Sequence, residues 1–240
     1  MKKFIEKYNV SCETIEKLKT YHSLLLEWQN KFNLVSNSSL SNVWDRHFDD
    51  SAQLFKYIPD DAETLIDFGS GAGFPAMVIA ILAAEKTPYL KVVMVESIKK
   101  KTLYLNEVAL KTNVNVEINN DRIENLPLKK YDVITSRAMA AVVDLLKYAY
   151  PFCKEKTVCI FPKGRSYATE LADAHKKWRF KCVIEQSSVS EEGKILIILF
   201  TFLKHILLYH LSYLLYLCNF YLIVTEAKAK LTVFPVSATF

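Results

Sequence analysis

The chain is poor in glycine, with five among 240 residues, and its cysteines fall in no pattern that staples or metallates a domain. Cys12, Cys153, Cys159, Cys182 and Cys218 are scattered, with no C-x-x-C pair and no histidine cluster beside them. This excludes a disulfide framework and a zinc site, and the expectation is no metal and a reducing, cytoplasmic setting. No secretory leader is expected, because Glu6, Lys7 and Asn9 interrupt any apolar run after Met1-Lys2-Lys3. There is no internal repeat and no low-complexity linker. Net charge is also small. Of the formal +5, residues 199–240 supply +2 (Lys204, Lys228 and Lys230 against Glu226), which leaves +3 for the first 198 residues. That balance permits a nucleic-acid partner without demanding one.

What is present suffices for a core: 51% of the residues are hydrophobic, enough for one α/β domain with an accessory element. Residues 11–32 read as an amphipathic helix, with Ser11 as N-cap and Ile15, Leu18, Leu25, Trp28 and Phe32 at helical spacing. A shorter helix is expected from Trp44 to Phe55, and the two would form a helical cap over residues 1–60. From Thr64 short apolar strands alternate with amphipathic stretches, the signature of a parallel sheet. Strands are expected at 64–68, 91–96, 114–119, 131–136, 157–162, 182–189 and 194–200, and helices at 75–84, 99–112, 142–150 and 168–178. The order is five βα repeats followed by two closing strands.

Three of the five glycines sit together, in Asp67-Phe68-Gly69-Ser70-Gly71-Ala72-Gly73-Phe74 after the first buried strand. Glycine suits a turn with unusual backbone angles that a ligand must approach closely. A dinucleotide fingerprint reads G-x-G-x-x-G, whereas here the third glycine comes one residue early and an acid precedes the loop. That arrangement looks like the methyltransferase version, in which no phosphate is cradled and the acid can face a cationic amino-acid ligand. A plain glycine-rich turn without ligand is the alternative. Glu96, at the end of the second strand, can accept hydrogen bonds from two ribose hydroxyls or be a simple strand-end glutamate. NAD and S-adenosylmethionine both carry such a ribose, so Glu96 alone does not choose between them.

Further patterns follow in order: Trp28 with Asn33-Leu34, Arg46-His47-x-x-Asp50-Ser51, Asp67 to Pro75, Glu96-Ser97-x-x-Lys100-Lys101, Arg122-Ile123-Glu124, Ser136-Arg137-Ala138 and Lys163-Gly164. This ordered set resembles the GidB/RsmG family, the small-subunit rRNA guanine-N7 methyltransferases, over roughly residues 15–198. The resemblance implies an α/β fold, the Rossmann-like class I S-adenosylmethionine-dependent methyltransferase, with a seven-stranded, mostly parallel sheet and an N-terminal helical cap. Residues 61–200 would be the methyltransferase domain. It implies S-adenosylmethionine as cofactor and 16S ribosomal RNA or the small ribosomal subunit as partner, with the protein acting as a monomer. The implied cofactor residues are Asp67, Gly69, Gly71, Gly73, Phe74, Glu96, Ile123, Glu124 and Arg137, with Ile123 and Glu124 flanking the adenine and Arg137 and Lys163 in catalytic positions. The family has glycine where this chain has Ala76, and a position needing positive φ there would crowd the methionine end of the pocket.

Guanine N7 carries an in-plane lone pair and no proton, so its methylation needs positioning and no general base. The sequence has no Asn/Asp-Pro-Pro-aromatic stretch of the kind used on exocyclic amines and no Pro-Cys nucleophile, since Phe152 separates Pro151 from Cys153, which is expected in a turn. Arg137 can hold guanine O6, a phosphate or the cofactor carboxylate, or can be a structural partner of Asp67 or Glu96. Lys163 can meet RNA phosphate or be a solvated strand-end lysine. His47 is more consistent with capping or packing than with a catalytic base, and Lys99-Lys100-Lys101 with a solvated face. A catalytically impaired RNA-binding or ribosome-assembly protein of the same fold is the alternative function. An NAD-dependent dehydrogenase is disfavoured by the glycine spacing.

Residues 201–240 form an atypical hydrophobic extension in which His205 to Thr225 is uncharged. An extension acquired by frameshift or read-through is the main reading, and a membrane anchor the minor one.

Overall fold

Seven strands, β1 (Thr64–Phe68), β2 (Lys91–Val95), β3 (Val116–Asn119), β4 (Tyr131–Ser136), β5 (Cys153–Lys163), β6 (Phe180–Gln186) and β7 (Lys194–Phe200), form one sheet in the order β3-β2-β1-β4-β5-β7-β6. The computed structural model describes residues 2–201, so the expected extension lies, beyond Thr201, outside the described residues. Pairing is parallel throughout except at β7, which runs antiparallel to both neighbours. Strands covered on both faces need continuous apolar runs. Leu65, Ile66 and Phe68 of β1 and Val92 to Val95 of β2 are accordingly buried.

The helices are α1 (Lys2–Tyr8), α2 (Cys12–Gln29), α3 (Asn37–Leu40) and α4 (Asp50–Ala52) ahead of the sheet, then α5 (Ala76–Lys86), α6 (Lys99–Thr112), α7 (Val142–Ala149) and α8 (Tyr167–Lys177). The β1-to-β2 and β4-to-β5 crossovers run toward opposite edges, so right-handed connections place α5 and α7 on opposite faces. A crevice therefore opens between the carboxyl ends of β1 and β4, where open α/β sheets bind ligands.

Ser11 caps α2: its hydroxyl oxygen accepts from the Thr14 amide at 3.2 Å, while Glu85 of α5 takes the Ser11 amide and the Ser11 and Thr14 hydroxyls. The buried stripe of α2, including Ile15, Leu18, Tyr21 and Leu25, packs on α5 and α6. Each fully buried leucine contributes about 2 kcal/mol of transfer free energy. The exposed Lys31–Glu27 pair on the outer face is worth at most ~0.5 kcal/mol, so apolar burial ties the cap to the sheet. Phe4, Leu18 and Phe48 share one core cluster with Leu65, Met77 and Leu105, and residues 1–200 form a single compact unit.

Several expectations are corrected. The helix expected over 11–32 ends at Gln29, whose side chain bonds Leu34 N, Val35 N, Val35 O and Asn37 Oδ1 and folds the chain back. The helix expected over 44–55 is a π turn (Trp44–Asp49), α4 and a 3-10 turn (Gln53–Tyr57). Helix α1 was not foreseen; its buried Phe4 packs on Tyr8 and Trp44. Only four of the five βα repeats carry a helix, because β3 leads into a 3-10 turn, Ile123–Asn125. Cys153 is buried in β5 and not in a turn: the register shifts between Tyr131 and Val133, and the Thr157 hydroxyl donates to Tyr131 O at 2.6 Å while accepting from Lys154 N. β6 starts at Phe180 and stops at Gln186. Ala76 opens α5, buried and in helical conformation, so the position makes no demand for positive φ.

Among the described residues no helix is long and apolar enough to cross a membrane, and no group of three metal-ligating side chains converges.

Gly73 has φ of +95°, and a Cβ there would stand 2.6 Å from Tyr21 Oη and 3.1 Å from Met77 Cβ. Tyr21 cannot withdraw, because it donates to Ala72 O at 2.5 Å and stacks on Phe74. Gly73→Ala is expected to destabilise the fold by about 2–4 kcal/mol. Gly71→Ala, whose Cβ would meet only Gly69 O at 3.7 Å, should destabilise by about 1 kcal/mol. Urea denaturation of the two variants measures the contrast, and equal losses would show that the Tyr21 contact is not what excludes a side chain.

Candidate active site

A cleft of about 370 Å³ opens at the carboxyl ends of β1, β2 and β4, lined by Gly69, Gly71, Glu96, Ile123, Glu124 and Ala138 to Ala140 together with Lys101, Asp121, Arg122 and Tyr148. Glu96 is held in place: Oε2 accepts from Gly71 N at 2.9 Å, Oε1 accepts from Ile98 N at 2.8 Å, and Asn120 donates to Glu96 O at 3.0 Å. A carboxylate accepts about four hydrogen bonds. Two are used, and the rest of its capacity faces the cleft.

Asp67 lies beneath this floor and does not line it. The Thr135 hydroxyl donates to its Oδ1 at 2.7 Å, while its buried Oδ2 has no partner among the described residues. Burial pushes its carboxyl up to about 7, against the opposing pull of Ser70, Thr135 and the Arg137 charge.

Arg137 follows β4, and its guanidinium is committed to the cap. Nη1 donates to Asp50 Oδ2 at 3.1 Å and to Arg46 O at 3.2 Å, Nη2 donates to His47 Nδ1 at 2.8 Å, and the group lies 5.0 Å from the Phe74 ring centroid. Arginine only donates, so His47 Nδ1 must accept and Nε2 must carry the proton, which it gives to Ser39 Oγ at 2.8 Å; Ser39 in turn donates to Ser36 O. His47 is thereby fixed as neutral, its value lowered to about 3 by burial and by the Arg137 and Arg46 charges. It packs on Phe74, as the packing reading of this histidine expected. The carbonyl that Arg137 reaches, Arg46 O, lies within the π turn, a feature frequent at functional sites.

The sequence-derived residues thus separate into two groups. Gly69, Gly71, Glu96, Ile123 and Glu124 are brought together in the cleft. Asp67, Gly73 and Phe74 lie behind it, the last two packed on Tyr21, and neither Asp67 nor Glu96 pairs with Arg137. Lys163 is not a simply solvated strand-end lysine, since its ammonium pairs with Glu170 at 2.7 Å and donates to Ala140 O at 2.6 Å. A second cleft, of about 490 Å³, is lined by Arg46, Asp50, Arg137, Lys163, Glu170, Lys194 and parts of the segment between β6 and β7, and it shares Ala138 with the first. Ala138 stood in a quoted motif, but Met139 and Ala140 of the same wall were missed, because isolated apolar residues carry no chemical signature. Asp50 stood in a quoted motif, but nothing in the sequence links it to a residue 87 positions away.

The family model described as rRNA small subunit methyltransferase G matches residues 14–198. The chain belongs to the GidB family. Similar proteins named Ribosomal RNA small subunit methyltransferase G include that of Ruegeria sp. (strain TM1040), 39% identical with 79% of this chain and 91% of the relative covered. That of Parvibaculum lavamentivorans is 40% identical, with 78% and 84% covered. The fold is similar to the ribosomal protein L11 methylase from Lactobacillus delbrueckii subsp. bulgaricus, with a TM-score of 0.54 at 15% identity over 64% of this chain and 77% of that one. It is similar also to the plantazolicin methyltransferase BpumL in complex with SAH, with a TM-score of 0.54 at 12% identity over 79% and 98%.

Enzymes of this family take a methyl group from S-adenosylmethionine, and the cleft fits that molecule. Space stands open over the bare Gly71 backbone, Glu96 has acceptor capacity for ribose hydroxyls, and the buried Ile123 offers an apolar surface to a base. When bound, the cofactor supplies a methyl group on a sulfonium.

The raised Asp67 value has a readable sign. Its contribution to stability is fully present below the ordinary carboxylate value of 3.8 and is lost as pH rises through about 7. His47, lowered from 6.5 to about 3, opposes it: its contribution is present above 6.5 and is lost as pH falls. Asp67→Asn removes only the first. The stability of this variant relative to the parent should therefore rise from about pH 4 to about pH 7 and then level off. Thermal unfolding across that range checks this, and a difference that does not change with pH would mean that Asp67 titrates as an ordinary carboxylate.

Proposed function

We propose that this protein transfers the methyl group of S-adenosylmethionine to N7 of a guanine in 16S ribosomal RNA, in the cytoplasm where that RNA is processed. The observation that carries the reading is the Glu96 carboxylate, anchored by Gly71 N and Ile98 N in a cleft that Gly69 and Gly71 also line. In this reading Gly69, Gly71, Glu96, Ile123 and Glu124 hold the cofactor, and the acceptor base approaches from the second cleft, meeting the first at Ala138. Arg137 acts by fixing the cap against the end of β4 and not as a donor to N7, which must stay free.

N7 fits the chemistry of the wall. The segment at the junction of the clefts, Ala138 to Ala140, carries no acid or base, and the charged groups that line the second cleft beside it are paired, Arg137 with Asp50 and Lys163 with Glu170. The nearby His47 is locked neutral with both ring nitrogens bonded. An in-plane lone pair with no proton to lose asks only for alignment with the methyl group. Of the two grounds for the impaired-protein alternative, Ala76 neither lines the cleft nor departs from helical geometry, and the carboxy-terminal extension lies outside the described residues.

The test is calorimetric titration of S-adenosylmethionine into the full chain and into Gly71→Arg, followed by methyl transfer to naked 16S RNA and to 30S particles with nucleoside mass analysis. Micromolar binding that the variant loses, and 7-methylguanine in the product, are expected. No binding by the folded parent chain would overturn the proposal, and methyl groups on another atom would overturn its N7 part.

A further inference from the structure

The segment between β4 and α7, Arg137 to Ala141, is the partition between the two clefts: Ala138 faces both, and Met139 and Ala140 face the first. Its backbone is strained, since Ala138 has φ of +53°, a conformation that L side chains other than Asn and Asp seldom adopt. Strain of this kind persists only when the surroundings hold it. On the cap side, Arg137 supplies the hold. On the other side the segment ends at Ala141, the N-cap of α7, which has no side chain able to cap the helix.

That second anchor comes from outside the segment. Glu170 of α8 takes the Val142 amide on Oε2 at 3.0 Å, which caps α7 from a different helix. The same Oε2 pairs with Lys163 Nζ at 2.7 Å, and Ser166 donates to Oε1 at 2.6 Å. Lys163 then donates to Ala140 O at 2.6 Å. One ion pair thus grips an acceptor and a donor on either side of Ala141, and both side chains are largely buried, at 10% and 19% exposure. A buried carboxylate at a helix N-terminus with its charge compensated is firmly placed.

We propose that the Lys163–Glu170 pair is the positioning device for the partition, setting the approach of acceptor to methyl group without touching either. The inference rests on the methyltransferase reading above for its effect on rate, but the clamp itself is testable without activity. Neither residue is catalytic in this account; Lys163 acts through Ala140 and Glu170 through Val142.

The experiment uses the full chain with Lys163→Met, Lys163→Arg and Glu170→Gln. Hydrogen exchange over residues 137–142 is expected to quicken by about tenfold or more in Lys163→Met, with β1 and α5 unchanged, and to return toward the parent rate in Lys163→Arg. With 30S particles or 16S RNA as substrate, kcat should fall about 10- to 100-fold while KM for RNA stays within about threefold, as displacement of a reacting centre predicts. Glu170→Gln, nearly isosteric, should fall between, and it keeps the test open if Lys163→Met unfolds. Unchanged exchange in the folded variants overturns the clamp, and a raised KM with unaltered kcat assigns Lys163 to RNA contact instead. If the parent chain methylates no RNA, the functional reading fails by itself, and exchange alone decides the clamp.

Discussion

The arrangement of the site depends on where one guanidinium spends its donors. Arg137 emerges from the end of β4, the place where a functional arginine is expected to face a ligand, and turns toward the cap, where Asp50, the Arg46 carbonyl, His47 Nδ1 and the Phe74 face receive it. A charge this sheltered is tolerable only with its donors satisfied; with one partner removed, such a pair typically leaves a penalty of about 3–5 kcal/mol. The cap therefore cannot be a loose appendage. Its π turn contains the Arg46 carbonyl that Arg137 reaches, its histidine is fixed in one tautomer through Arg137 and Ser39, and its aromatic residues close around Phe74.

From that constraint follows a division of labour within the glycine loop. Gly69 and Gly71 face the cleft, while Gly73 and Phe74 face the cap, where Tyr21 occupies the space that a side chain at Gly73 would need. One short segment thus faces cleft and cap at once: Tyr21 crowds Gly73, Met139 crowds Gly69 with its Cγ 2.9 Å from where a Cβ would stand, and Gly71 is constrained by its φ of +56° alone. Asp67 sits between the two roles, buried with one oxygen unpartnered beneath a floor built from backbone. The chemistry assigned to the site asks for placement more than for acid or base, which suits walls made of main chain and small side chains clamped from both sides.

Much of the architecture was legible in advance. β1, β4 and β7 and helix α6 fall on the expected residues, because continuous apolar runs and a strong amphipathic period leave few other ways to bury them. The convergence of Gly69, Gly71, Glu96, Ile123 and Glu124 on one cleft follows from the same patterns. The early end of α2, the π turn and the long β5 were not. Each depends on side chains that bond to distant or local backbone, Gln29 to Leu34 and Val35, Arg137 to Arg46, and Thr157 to Tyr131.

The sheet, the glycine turn and the family are written in local pattern: alternating strands and helices, glycine spacing and short ordered motifs. The tertiary structure alone decided what the charged residues do. Arg137 reaches Asp50 across 87 positions of chain, and Lys163 reaches Ala140 across 23, so neither partner is visible along the chain. A charge in a half-buried place takes whichever counter-charge and carbonyls the fold brings within about 3 Å. That proximity exists only once the helices have docked on the sheet.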